Sequence, residues 1–441
     1  MKRLSWLAAC LLASTCPAQY KGFWENRPRL GIARQELGGA VLGGKVYVGG
    51  GLDLSRNGLR SVEVFDPRTA RWTRIADMPI ALHHLGMCAV GGKLYQIGGY
   101  VGSSFSPTQM CHRYDPTANR WTRIADLPRA RGAFVAVAIG GKIYAVGGVE
   151  RQTFLTVVGR LTVYDPASNR WSTLAAMPTA REHLAAAAIG GKLYVAGGRI
   201  RGLLRNQLEV FDPTTGRWTT LAPMPTARGG NGASVLDGKL IVVGGEASRN
   251  FRETEEYDPV TNRWRRLRDM SVPLHGIYPV SLGKDLIVAG GGTRPGFAAT
   301  NVVIAFRRLP SGVARYGTHT PACKGRILMS VTTGPVAGSG SFSFASSPNG
   351  PPGTGGVLAL GGHQDLPGTV LLGFRLHVSL KAPLVLLPAA TGASGEGRLA
   401  LPIPPGTRGI RFFNQFVWAN TPACRGNGPF SASDALDVTI Q

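Results

Sequence analysis

Six of the chain's tryptophans, Trp24, Trp72, Trp121, Trp171, Trp218 and Trp264, follow one another at intervals of 48, 49, 50, 47 and 46 residues. A glycine pair keeps the same beat, at Gly49-Gly50, Gly98-Gly99, Gly147-Gly148, Gly197-Gly198, Gly244-Gly245 and Gly290-Gly291. Two independent markers in phase over six periods require stacked supersecondary units, each burying its apolar face against a neighbour.

The third unit shows the local pattern. Alternating apolar positions from Phe134 to Ile139 predict a buried inner strand, A. Gly140-Gly141-Lys142 is a hairpin turn in which glycine supplies positive φ. Ile143 to Val146 read as strand B, ended by the glycine pair, and Leu161 to Tyr164 as strand C. The stretch from Asp165 to Arg170 is a turn, with Pro166 fixing φ and Asn169 tolerating the left-handed region. Trp171 opens an outer strand D, its indole large enough to fill the wedge between neighbouring sheets. The sixth unit supplies A, B and C and then stops: Arg307-Arg308 stands where Asp-Pro belongs, and no tryptophan follows in phase. The missing strand lies at the other end, from Phe23 to Pro28. Trp24 precedes Arg34 by 10 residues, as Trp121 precedes Arg131, Trp171 Arg181 and Trp218 Arg228. The N-terminal segment is therefore expected to close a ring of six by donating strand D, which abolishes the open sheet edge.

The glycine pair, Tyr-Asp-Pro-x-x-Asn-x-Trp and Met-Pro-x-x-Arg together resemble the kelch repeat over roughly residues 20–308. The resemblance implies an all-β fold, a six-bladed β-propeller with four-stranded blades around a central channel. We assign residues 19–308 to the propeller and 309–314 to a linker. Beyond them the tryptophan beat ends, and short apolar runs such as Val370 to Leu376 alternate with Gly- and Pro-rich turns. Residues 315–441 read as a small β-sandwich-like domain. Its opening, Tyr316 to Cys323, is similar to C-terminal domains on secreted proteins of planctomycete-like bacteria.

Residues 1–18 read as a cleaved signal peptide: Lys2-Arg3 as the positive start, Leu4 to Ala13 as a short apolar run, and cleavage after Ala18. Leu7-Ala8-Ala9-Cys10 offers a lipoprotein box as an alternative. The expected location is secreted, periplasmic or cell-surface, with no membrane span, since no segment is long and apolar enough. Export permits disulfides, and Cys323 and Cys424, each ending a Thr-Pro-Ala-Cys tetrapeptide, are the expected pair. Cys88 and Cys111 sit on strands A and C of one blade, about two strand spacings apart, beyond disulfide reach. A monomer is expected.

A formal charge of +24 favours anionic partners. In a propeller, D–A and B–C connections share one face, which varies in length and content, and binding normally uses such loops. That face carries seventeen arginines against seven acids. Ten residues after each tryptophan come Arg34, Leu82, Arg131, Arg181, Arg228 and Leu274. The next ring holds Gln35, His83, Gly132, Glu182, Gly229 and His275, and Glu36, His84 and His183 follow in a third. Arg34, Arg131, Arg181 and Arg228, with His83 and His275, are thus candidate ligand-binding residues at the channel mouth, suited to carboxylate, sulfate or phosphate. The competing reading pairs these arginines with strand acids such as Glu63 or Glu209.

The leading expectation is a non-catalytic binding protein for an anionic glycan or protein surface. Export and the confinement of aromatic residues to repeat core positions argue against nucleic acid. No cofactor is expected. Nothing matches the tyrosine–histidine copper site of galactose-oxidase-like propellers. His83, His84, His183 and His275 could approach one another near the axis, but adjacent strand residues point to opposite faces, so no metal site is expected. Bacterial sialic-acid mutarotases are also exported six-bladed kelch propellers using Arg and Glu around the channel; by that resemblance Arg181, Glu182 and Glu36 are the alternative catalytic residues.

Overall fold

The computed structural model describes residues 22–150 and 156–308 with their side chains, and beyond them the backbone of strands between Val313 and Thr439. The leader, Cys323 and Cys424 lie outside the described residues. Contacts divide the chain into two units, Trp24–Arg308 and a unit containing Leu309–Gln441. The described parts of the second unit are antiparallel strands, the longest pairing Gly355–Gly361 between Leu384–Ala390 and Arg411–Ala419. No helix occurs among the described residues, and none is long and apolar enough to cross a membrane.

Six four-stranded antiparallel sheets, with a three-stranded and a two-stranded sheet of short loop strands, make up the first unit among the described residues. Blade three is representative: Val135–Ile139, Lys142–Val146, Leu161–Asp165 and Arg170–Leu174 are its strands A to D, in that spatial order. The sixth sheet is completed by the first of the described strands: Gly22–Arg27 lies beside Val303–Arg308, which pairs Asp285–Ala289 and then Val280–Leu282. Apolar clusters sit between blades. Tyr47 and Val64 of blade one, for instance, pack with Met87, Leu94 and Trp121 of blade two. Cys88 and Cys111 are buried free thiols.

Each conserved letter of the unit has a mechanical job. In all six blades the tryptophan ring packs on an aromatic of its own strand C, with centroids 5.1–5.4 Å apart; the pairs run from Tyr114–Trp121 to Trp24–Phe306. Its indole N–H donates at 2.8–2.9 Å to the carbonyl four residues beyond the previous tryptophan: Trp121 to Ala76, Trp171 to Ala125, Trp24 to Arg268. Blade-to-blade attachment at the rim is therefore made by the residue that marks the period. The lysine after Gly-Gly pairs with the aspartate of Asp-Pro, as Lys93 does with Asp115 at 2.8 Å. Blade six carries the same pair with its signs exchanged: Asp285 takes the lysine position and Arg307 the aspartate position, bonded at 2.7 and 2.8 Å. That exchange explains Arg307.

Glycine pairs ride on the next blade. The second glycine of each donates its N–H to the following blade's carbonyl at the position ten residues after tryptophan, from Gly51 to Leu82 at 2.9 Å round to Gly291 to Arg34 at 2.7 Å. Blade one corrects the sequence alignment by one residue. Its positive-φ pair is Gly50-Gly51 (φ 63° and 96°), not Gly49-Gly50, because 16 residues separate Arg34 from Gly50 as they do Arg131 from Gly147.

Gly148 has φ 98°, and a Cβ there would sit 2.6 Å from the Gly132 carbonyl. Gly140, in a solvent-facing hairpin turn with φ 55°, has open space around it. Gly148→Ala is expected to lose about 2–4 kcal/mol in chemical denaturation, and Gly140→Ala only about 1 kcal/mol. Equal losses would mean that conformational preference, and not the close approach of the Gly132 carbonyl, explains the glycine at 148.

Candidate functional site

Strand A of each blade is preceded by a three-residue approach to the axis, and its last residue is always left-handed. Glu36, His84, Ala133 and His183 have φ of 50–55°, and Gly230 and Gly276 have φ of 66° and 58°. The backbone N–H of each donates to the carbonyl of its counterpart one blade earlier: His84 to Glu36, Ala133 to His84, His183 to Ala133, Gly230 to His183, Gly276 to Gly230, and Glu36 to Gly276, at 2.7–3.0 Å. The six bonds close on themselves around the channel.

This geometry overturns the expectation that His83 and His84 point to opposite faces. Alternation holds only for extended backbone; the left-handed turn at His84 swings the two rings together, with centroids 4.8 Å apart and Nδ1 atoms 2.6 Å apart. It also brings third-ring side chains of different blades into contact. His84 Nε2 lies 3.0 Å from His183 Nε2 and 3.3 Å from Glu36 Oε2.

The four arginines take a different course. Arg34, Arg131, Arg181 and Arg228 are 0–1 % exposed. Each guanidinium turns into its own blade and bonds across strands B and C. Arg34 donates to the carbonyls of Gly50 and Ser61, both at 2.9 Å; Arg131 to the Arg160 carbonyl at 3.0 Å and Thr162 Oγ1 at 2.6 Å. Arg181 bonds Glu209, and Arg228 bonds Glu255 at 2.9 Å. Burial pulls Arg34, Arg131 and Arg228 down to about 10. The expected open ring of arginine donors is thus corrected: their terminal Nη donors are taken up by strand ends and buried acids, and each Nε is buried without a hydrogen-bond partner. His83 and His275 are likewise 0–1 % exposed, lying behind the mouth. His83 packs on Phe105 and Tyr100, and His275 faces the Gly296 carbonyl at 3.0 Å and Glu246 at 3.4 Å.

What faces the opening is a cavity of about 330 Å³ whose lining includes Glu36, His84, Glu182, His183, Arg199, Glu246, Tyr100, Phe105 and Phe297. Glu36 and Glu182 thus share it, whereas Arg181 lies outside. Arg199, one of the seventeen arginines assigned to this face but not among the candidate site residues, bridges Glu182 at 2.9 Å and Glu246 at 3.0 Å. It had a signal. Tyr100, Arg199 and Glu246 each follow the glycine pair, and this position is bridged to the second ring, as Tyr100 to His83, Arg199 to Glu182 and Glu246 to Gly229.

Burial raises Glu36 to about 8, the Glu246 charge adding to the shift and Arg199 opposing it. Burial, reinforced by neighbouring positive groups, holds His84 and His183 well below the usual histidine range, and burial alone takes His83 to about 4. Tyr278 of blade six donates its hydroxyl at 2.6 Å to the Ala136 carbonyl of blade three and also borders a second, alanine-rich chamber of about 270 Å³.

Residues 31–177 and 173–291 match the family described as KLHDC2/KLHL20/DRC7 Kelch-repeats domain. The chain belongs to the kelch-repeat family. Kelch-like protein 28 of Homo sapiens is 35% identical over 108 residues, 23% of this chain and 19% of that protein. Kelch-like protein terF of Aspergillus terreus is 33% identical over 105 residues, 20% and 23% of the two chains. The chain thus spans less than a quarter of the curated relatives it matches. A solved structure titled "Structure of YjhT" has a TM-score of 0.56 at 20% identity, covering 63% of this chain and 96% of that one, and shares the propeller fold.

Arg228→Ala would strand Glu255, which is 2% exposed, with Thr226 Oγ1 at 2.6 Å as its remaining side-chain bond. Chemical denaturation is expected to show a loss of about 3–5 kcal/mol. Adding Glu255→Gln should cost less than the two single losses combined. Additive losses would deny the pairing.

Proposed function

We propose that this kelch propeller is an exported, non-catalytic binding protein that holds an anionic partner, an acidic glycan or an acidic protein surface, across its variable-loop face. The observation that carries the reading is the separation of charge on that face. The acids Glu36, Glu182 and Glu246 are turned into the cavity, whereas Arg56, Arg129, Arg201, Arg252 and Arg294 are exposed on the propeller's loops. An outer belt of guanidinium groups over an inner acidic floor attracts a broad polyanion to the rim and disfavours a small free anion in the cavity. Arg56 lies over the Phe297 ring at 4.5 Å, which holds its charge at the cavity edge. Export is supported by the composition of residues 1–18.

A second reading is a sialic-acid mutarotase-like enzyme. Glu36 and Glu182 share a cavity of about 330 Å³, at the lower end of small-ligand sites. In that reading Arg199 takes the place of Arg181.

Biolayer binding to sulfated and uronic-acid glycans, neutral dextran and an acidic protein tests the first reading. Binding that weakens with salt, and falls at least tenfold in Arg56→Gln/Arg201→Gln/Arg294→Gln, is the expected result. Acidic ligands binding no better than dextran would overturn it. For the second, NMR anomer exchange with sialic acid should be accelerated by the wild type and lost in Glu182→Gln; no acceleration removes it.

A further inference from the structure

Of everything gathered at the channel axis, the trio Glu36, His84 and His183 is the least at rest. Its three ligand-type atoms lie within 4.8 Å of one another. Two imidazole nitrogens meet at 3.0 Å, and the carboxylate oxygen stands 3.3 Å from one of them. A tetrahedral ion with bonds of about 2.0–2.1 Å holds neighbouring ligand atoms about 3.3 Å apart. The separations at His84 are those of two edges of such a tetrahedron.

The surroundings orient the rings for this use. His183 Nδ1 lies against Glu182 Oε2, and Glu182 is gripped in turn by Arg199 at 2.9 Å. A carboxylate beside Nδ1 favours the tautomer protonated there and leaves Nε2 bare, as in a ligating histidine, although the pair as it stands lacks hydrogen-bond geometry. His84 Nδ1 faces His83 Nδ1 at 2.6 Å, which permits the same tautomer at His84. All three residues line both the mouth cavity and a small pocket of about 50 Å³ beneath it, so a fourth coordination position is open to solvent or ligand. Glu246 and Glu182 add negative charge nearby, which a cation would offset. Finally, Glu36, His84 and His183 hold left-handed backbone that Gly230 and Gly276 adopt in other blades without strain. Side chains are kept at these positions despite that strain, and three of the four that are not glycine are the ones that converge.

We propose that Glu36, His84 and His183 form a three-ligand site for a divalent transition metal, zinc foremost, with Glu182 as the residue that positions His183. Two imidazoles and one carboxylate with an open fourth position suit this ion. The reading is independent of the anionic partner, since it concerns the floor of the mouth and not its rim.

The test uses the full chain, stripped with chelator and titrated with Zn²⁺ and with Co²⁺. One tight Zn²⁺ site per chain is expected, together with the intense visible bands of four-coordinate Co²⁺. His84→Gln and His183→Gln should each weaken Zn²⁺ binding at least a hundredfold. Glu182→Gln should weaken it about 10–100-fold, shift the Co²⁺ bands, and be partly rescued in Glu182→Asp. The absence of saturable Zn²⁺ binding at micromolar concentration would overturn the site. So would undiminished binding in His84→Gln/His183→Gln, which would place the metal on other histidines. If the variants do not fold, proton NMR of the wild-type Co²⁺ protein decides: two hyperfine-shifted imidazoles support the site, and fewer than two overturn it.

Discussion

A hydrogen bond between one backbone N–H and the carbonyl of its counterpart one blade away, repeated until it returns to its start, organises this molecule. Only a closed circle of six such bonds leaves no inner N–H orphaned, and an unpaired buried amide is costly. The circle requires a left-handed residue in every blade, since only that turn aims the N–H sideways along the ring and not along the strand. Left-handed backbone costs a side-chain-bearing residue roughly 1–2 kcal/mol. Two blades avoid the cost with Gly230 and Gly276; four accept it. The same turn that satisfies the backbone delivers Glu36, His84 and His183 to one point, so the site is a by-product of how the ring closes.

Outward from the axis the linkage changes in kind. Next come the glycine amides, which donate to the neighbouring blade's carbonyls, and at the perimeter the tryptophan N–H groups do the same. Three concentric circles of directional bonds fix the angle between blades, and apolar side chains fill the space between them. The buried arginines belong to this scaffold. A guanidinium offers five donors in a planar fork, which suits a place where the ends of strands B and C present several carbonyls at once.

The architecture was legible because its signals are periodic, and alignment of six copies averages away local accidents. Trp24 could be recognised as the closing strand from its distance to Arg34 alone, and Arg307 as a departure from the pattern, though only its pairing with Asp285 explains the departure. The site was less legible because it depends on breaks in periodicity. Strand logic sent His83 and His84 to opposite faces; a single φ of 53° at His84 reversed that. Arg34 and its counterparts were placed at the correct height, but height does not say whether a long side chain turns toward the axis or back into the sheet. Arg199 and Glu246 belong to the loop-face charges legible in the sequence, but their meeting depends on the residue after each glycine pair being bridged to the second ring, which the period does not announce.

The completion of blade six by Gly22–Arg27 has a bearing on how the molecule comes into being. The propeller's N-terminal strand finds its partner only when Val303–Arg308 exists, so almost the whole propeller must be made before the circle can shut. Contacts of such sequence separation form slowly. Until then blade six presents an unpaired edge, and both ends of the unfinished ring are open to foreign strands. A propeller of this kind gains from being kept unfolded until Val303–Arg308 is made, and its closure joins its N-terminal strand to its final one.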